Sequence, residues 1–230
     1  MIRMKHTIVF DIETGPLAER ELAALLPPFD PAEVKTGNLK DPEKVAAKIA
    51  EAEANHRRDF FERAALDPLT GRVLAIGMMT LPPGERATAA GATYTLLGDE
   101  DEAELLRQFW AACQGEMGRL HLMVGFNSHL FDLPFLMRRS WKQGVAVPLG
   151  IRRGRYWGED VVDVREAWQL GDRMARGSLG SIAKHLGVGE KSGDGKDFAR
   201  LWATDRAAAE GYLRNDLELT ARVAVGLGCV

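Results

Sequence analysis

Cysteine is scarce in this chain of 230 residues, which contains only Cys113 and Cys229. The two lie far apart in sequence and match no paired metal-ligand spacing. They therefore exclude a disulfide framework and a cysteine-based zinc site, and read as reduced thiols. Long apolar runs are lacking too: none approaches the roughly 20 residues that a membrane span needs, so no membrane partner is expected. The opening residues Met1-Ile2-Arg3-Met4-Lys5-His6 lead into a strand pattern rather than into a signal-peptide apolar region, and the expected residence is cytoplasmic. An excess of one charge is also missing, because 30 Lys and Arg face 33 Asp and Glu for a net charge of -3. That balance gives no global argument for a polyanionic partner. Internal repeats and low-complexity segments are absent. What is present is the composition of an ordinary globular protein, 46% hydrophobic and 27% charged, with enough length to bury a substantial core as one large domain or, as the second choice, two small ones.

Hydrophobic periodicity predicts a strand over about residues 7–12, ended by Gly15-Pro16, and then a polar stretch in which Pro27, Pro28 and Pro31 prevent a continuous helix. Asp41-Pro42-Glu43 reads as a helix start, with Asp41 as N-cap and Pro42 at the first helical position. Val45, Ile49, Ala52, His56, Phe60 and Ala64 follow at helical spacing and supply one face that can be buried. Further strands are predicted over about residues 72–80, 92–97, 121–125 and 161–164, with Pro82-Pro83-Gly84 as a turn. Helices are predicted from about 99–102 through Trp110, from Phe131, and over about 178–186, 198–202 and 205–225. Three strands in succession, then alternating helix and strand, predict a mixed sheet with helices on both faces: antiparallel early, parallel later. Charge is unevenly spread. Arg138, Arg139, Lys142, Arg152, Arg153 and Arg155 form a basic run with no acid among them, able to meet phosphates or simply to be solvated.

Val9-Phe10-Asp11-Ile12-Glu13-Thr14-Gly15 ends an apolar run in two carboxylates. On a strand, residues i and i+2 share a face, so Asp11 and Glu13 project together while Phe10 and Ile12 turn the other way. Farther on, a strand ends at Gly125, and Asp132 falls in the first turn of the next helix, where the helix dipole favours a carboxylate. Near the end, Tyr212 and Asp216 lie four apart on a helix and share one side. Taken singly, each pattern also fits a purely structural role. Taken together, Asp11, Glu13, Asp132 and Asp216 are four acids whose convergence would be strongly repulsive without cations. Hard oxygen ligands suit Mg2+ or Mn2+.

In order and spacing, Asp11-x-Glu13, Asn127 with Phe131-Asp132, and Tyr212-x-x-x-Asp216 resemble the three exonuclease motifs of the DEDD (DnaQ-like) 3'-5' exonucleases, in their tyrosine-containing DEDDy subgroup. The resemblance runs from about residue 7 to 225 and is greatest to the exonuclease domain of family B DNA polymerases, here as a stand-alone domain. It implies an α/β fold of ribonuclease H-like type, a mixed five-stranded sheet flanked by helices. It also implies hydrolysis of single-stranded DNA from the 3' end to 5'-mononucleotides, with two divalent metal ions, Mg2+ or Mn2+, and a place in DNA repair or proofreading. By the same resemblance Asp11 bridges both metals, Glu13 and Asp216 complete the site that holds the water nucleophile, Asp132 supports the second metal, and Tyr212 orients the water. Asn127 and Phe131 are implied contacts to the terminal nucleotide, and Thr14 and Gly15 would let the strand come close. Ser178-Leu179-Gly180-Ser181-Ile182-Ala183-Lys184-His185-Leu186-Gly187 resembles the helix that precedes the third motif in many members, and Asp163 at a strand end is a further candidate near the metals. His129 is a lone histidine, read as a loop residue.

Two other functions fit the same residues. One is a 3'-5' exoribonuclease; the other is a non-catalytic module that binds single-stranded nucleic acid through the basic run with Trp141, Tyr156 and Trp157. The segment at about 16–72 departs from the compact pattern of the family and reads as a helical insertion within a single exonuclease domain spanning 1–230. Its Lys35 to Lys40 stretch and following helix are expected to lie near the active site and to restrict it to single-stranded 3' ends. Deleting the segment should then raise activity on duplex ends, measured with matched single-stranded and duplex oligonucleotides. An unchanged substrate preference would contradict that expectation.

Overall fold

A computed structural model describes residues 6–81, 91–98, 101–115, 118–148, 151, 160–172 and 174–230. The predicted turn at Pro82-Pro83-Gly84, the basic residues Arg152, Arg153 and Arg155, and the aromatics Tyr156 and Trp157 lie outside the described residues. Five strands form one sheet in the order β3-β2-β1-β4-β5. They are β1 (Thr7–Pro16), β2 (Gly71–Leu81), β3 (Thr93–Leu97), β4 (Leu122–Gly125) and β5 (Val161–Asp163). β2 and β3 pair antiparallel, whereas β4 pairs parallel with both β1 and β5. This is the mixed five-stranded sheet expected from the succession of strands and helices. The helices are α1 (Glu19–Leu25), α2 (Pro42–Arg63), α3 (Glu102–Cys113), α4 (Asp132–Lys142), α5 (Val164–Gln169), α6 (Leu179–Leu186), α7 (Phe198–Thr204) and α8 (Arg206–Gly226).

The chain divides into two compact units, one of Met1–Glu13 with Val73–Val230 and one of Thr14–Arg72. In the larger unit the two-residue period of the strands separates two layers. Ile8, Phe10 and Ile12 of β1 and Met123 of β4 enter the core beside α3 and α4, with Leu105, Phe109, Trp110, Phe135 and Leu136. Val9 and Val124 enter the opposite core with Leu179 and Ile182 of α6 and Leu217 of α8. Asp11 and Glu13, two and four residues beyond Val9, continue this second face. α8 packs against α6, α7 and β4. It also comes close to β2 at Gly77, where a Cβ would stand 2.8 Å from Leu213 Cγ and 2.9 Å from Leu217 Cδ1. Any side chain at that position would require Leu213 and Leu217, on the helix that carries Tyr212 and Asp216, to shift.

Local capping explains most helix boundaries. Asp41 accepts from Glu43 N at 3.0 Å and starts α2 before Pro42, and Asp101 accepts from Ala103 N at 2.8 Å and starts α3. Ser178 and Ser181 cap α6 reciprocally. In the smaller unit α2 is only half-buried along Val45, Ile49, Ala52, His56 and Phe60, and none of its residues is fully buried, whereas Ala64 just beyond it is. His56 Nε2 meets the Pro27 carbonyl at 3.0 Å, which ties α2 to the proline turn that follows α1.

Three details correct the sequence reading. β1 continues through Gly15 to Pro16 instead of stopping beyond Glu13. Val164, expected at a strand end, begins α5, because the Asp163 side chain accepts from the backbone N–H groups of Arg165 and Glu166 and ends the strand by capping a helix. Arg139, one of the basic run, is buried and pairs with Glu102 at 2.6 Å, so its charge is spent joining α4 to α3 rather than offered to phosphate.

Candidate active site

The second face of the sheet opens into a cleft of about 690 Å3. Asp11, Glu13, Asn127, Phe131, Asp132, Tyr212 and Asp216 all line it, so seven of the nine residues picked out from the sequence meet in one place. Thr14 and Gly15 continue β1 beyond Glu13 and belong to the smaller unit. Side-chain oxygens of Asp11, Glu13 and Asp216 lie within 4.8 Å of one another. Asp132 takes a different position. It is buried, and its Oδ1 accepts the Ile12 N–H at 3.2 Å, which anchors the start of α4 to β1 beside Asp11.

Burial and mutual repulsion act on these acids in the same direction. Asp11 is held well above the usual carboxylate range, first by burial and then by the charges of Asp132, Glu13 and Asp216. Glu13 is pushed up to about 8 by burial and by Asp216, and Asp132 to about 7 chiefly by burial. Asp216 is also raised by burial, against the opposing pull of Lys191 and of the Tyr212 hydroxyl, which donates to it. Burial and the neighbouring carboxylates push the Tyr212 phenol far above its usual range, so it keeps its proton.

Lys191 is a site residue that the sequence did not reveal. Its Nζ lies 2.8 Å from Asp216 Oδ2 and 5.0 Å from the centre of the Tyr212 ring. It arrives on the glycine-containing stretch after α6. At Gly193 a Cβ would stand 3.0 Å from Tyr212 Cδ2, so a side chain there would crowd the ring that the glycine backbone lies against. The glycines were a visible signal, but nothing local tied them to Tyr212. The other oxygen of Asp216, Oδ1, is buried with no hydrogen-bond partner among the described residues. Three convergent carboxylates with raised proton affinity, one carrying a buried unpartnered oxygen, fit a hard divalent cation.

Asp163 does not join this group. Its Oδ1 accepts from the N–H groups of Asn127 and Arg165, both at 2.9 Å, and its Oδ2 accepts from His129 N at 2.9 Å. It is a clamp that fixes the β4–α4 loop to the start of α5. His129 is buried there rather than placed on an open loop, with Nδ1 2.8 Å from Glu166 Oε2. Asn127 adopts a left-handed backbone with φ of 59° and accepts a hydrogen bond on Oδ1 from Arg165 Nη1 at 2.9 Å.

The profile of a family described as "predicted 3'-5' exonuclease related to the exonuclease domain of PolB" matches residues 69–217. The chain belongs to this family. Among solved structures, the PolB-like exonuclease chain is similar to the family B DNA polymerase from the hyperthermophilic archaeon Pyrobaculum calidifontis, at 18% identity and a TM-score of 0.61. The match covers 98% of this chain and 25% of the polymerase, so the chain spans a quarter of that protein's length. At this identity the likeness establishes the fold, which is the ribonuclease H-like one expected. No curated protein matches the chain. Among the described residues no helix is long and apolar enough to cross a membrane.

Proposed function

We propose that this PolB-like exonuclease chain removes 5'-mononucleotides from the 3' end of single-stranded DNA with the help of two divalent cations, Mg2+ or Mn2+. The observation that supports it most is the convergence of Asp11, Glu13 and Asp216 beside a protonated Tyr212 in a cleft open to solvent. Asp11, Glu13 and Asp216 would hold the first cation, and Asp11 with Asp132 the second. When bound, such cations polarise the scissile phosphate and lower the pKa of water to the point of nucleophilicity near neutral pH. Tyr212 keeps its proton and is held by Asp216, so its role is to donate a hydrogen bond and orient rather than to act as a base. Asn127 and Phe131, on the cleft wall next to Asp132, would receive the terminal nucleotide, with Phe131 as the stacking surface.

The test is a panel of 5'-labelled oligonucleotides of one sequence, comprising single-stranded DNA, duplex DNA, 3'-mismatched duplex and RNA, each run with Mg2+ and with Mn2+. The expected outcome is stepwise shortening of single-stranded DNA from the 3' end, stopped by EDTA. Faster shortening of RNA would reassign the enzyme as an exoribonuclease. Binding without shortening under either metal would reassign it as a binding module.

A further inference from the structure

A cleft lined by four acids, in a chain of net charge -3, must still admit a polyanion. Some cation has to meet the strand backbone. Among the lysines and arginines that line the cleft, Lys191 is already bound to Asp216, and Arg176 is exposed. Arg165 differs from both. It is half-buried on the cleft wall, and among the described residues its guanidinium forms no ion pair with an acid. Nη1 donates to Asn127 Oδ1 at 2.9 Å, and Nε is buried with no hydrogen-bond partner among the described residues. Asn127 Oδ1 is thus the one acceptor among the described residues for a guanidinium with five N–H donors, on a wall that a ligand can reach.

Its placement is fixed from behind. One oxygen of the buried Asp163 accepts from the N–H groups of both Arg165 and Asn127, so a single carboxylate holds the two residues in register. The left-handed backbone of Asn127 then turns its side-chain oxygen towards the guanidinium. Preorganised in this way, a planar fork of N–H donors matches the oxygens of a phosphodiester better than a flexible ammonium does.

We infer that Arg165 is the phosphate-binding residue of the cleft and takes a backbone phosphate of the bound strand while Asn127 holds its guanidinium in place. This deepens the nuclease reading of the same site and rests on it. The alternative role for Arg165 is purely structural, as a prop for Asn127.

The two roles separate in the salt dependence of binding. A contact to one phosphate of a single strand contributes about 0.7 to the slope of log affinity against log salt, and a prop contributes nothing. Binding of a fluorescent single-stranded oligonucleotide is measured by anisotropy from low to moderate salt in the Asp11→Asn background, where the strand persists. Turnover is measured with Asp11 intact. Arg165→Gln and Arg165→Met are both expected to lower the slope by about 0.7. They should also raise KM at least about 10-fold, the loss of one charge-assisted hydrogen bond, with kcat within about 2-fold. Arg165→Lys should keep the slope. Asn127→Gly, which tolerates the left-handed backbone, should raise KM while keeping the slope. A slope unchanged in Arg165→Gln or Arg165→Met overturns the inference, even if KM rises, because Arg165 would then act only through Asn127. If the chain with every residue intact shortens no strand, it is the nuclease reading that fails. If it does shorten strands and Arg165→Gln keeps both KM and slope, only the phosphate contact fails.

Discussion

Asp11→Asn is expected to lose mononucleotide release by at least 10²–10³-fold, the scale of removing one transition-state contact, while becoming more stable without metal. The opposite signs follow from one cause. Asp11 is half-buried beside Asp132, Glu13 and Asp216, and its charge is disfavoured by desolvation and by all three of them. A cation needs that charge; the metal-free fold is strained by it. The amide keeps the volume and removes the repulsion. At pH 8 in EDTA, relief worth about 1 kcal/mol would raise Tm by about 2–4 °C in a chain of this size. Differential scanning fluorimetry and an oligonucleotide assay on the same preparation check both halves. A variant that is inactive and also less stable would point to damaged packing instead, and retained activity would remove Asp11 from the proposed chemistry.

The second large effect is a stability profile that metal flattens. Glu13 rises from an ordinary 4.5 to about 8 and Asp132 from 3.8 to about 7, so the folded state binds protons more tightly than the unfolded chain. Stability from these groups is therefore fully present below about pH 4 and falls as pH rises through 7 to 8. Each unit of separation is worth about 1.4 kcal/mol, and the loss reaches several kcal/mol by pH 8.5. The contact of Lys191 with Asp216 offsets part of it. A divalent cation binds the ionised acids, and at about 100 times its Kd adds about 2.7 kcal/mol. In EDTA, Tm should drop between pH 5 and pH 8.5. With Mn2+ the drop should shrink, so that the Tm gap between the two series widens with pH. A gap of the same size at both pH values would show that these carboxylates do not bind the ion.

Sequence periodicity alone determined several of these relationships. The period of two on β1 placed Asp11 with Glu13 and set Phe10 and Ile12 opposite, and the structure follows that division between its two cores. Helical spacing put Tyr212 one turn before Asp216, Asp41-Pro42 marked where α2 begins, and the acidic stretch at 99–102 marked the approach to α3. Each of these relations is set by backbone geometry within a few residues, so the local sequence is enough to state it.

Tertiary packing decided the rest. Asp216 meets Asp11 only because α8 lies on the face of the sheet that carries Val9, close to Gly77 of β2. Lys191 reaches Asp216 from 25 residues earlier along a stretch whose glycines fit the Tyr212 ring. Asp163 read as a possible metal ligand and proved to be a clamp, because its partners are backbone N–H groups whose direction no sequence pattern records. The basic run read as a charged surface, yet Arg139 is withdrawn into a pair with Glu102, while Arg165, unremarkable in the sequence, stands on the cleft wall. Burial, which sets how readily each acid ionises and which cations remain free for a ligand, depends on contacts between distant segments, and those exist only once the chain has folded.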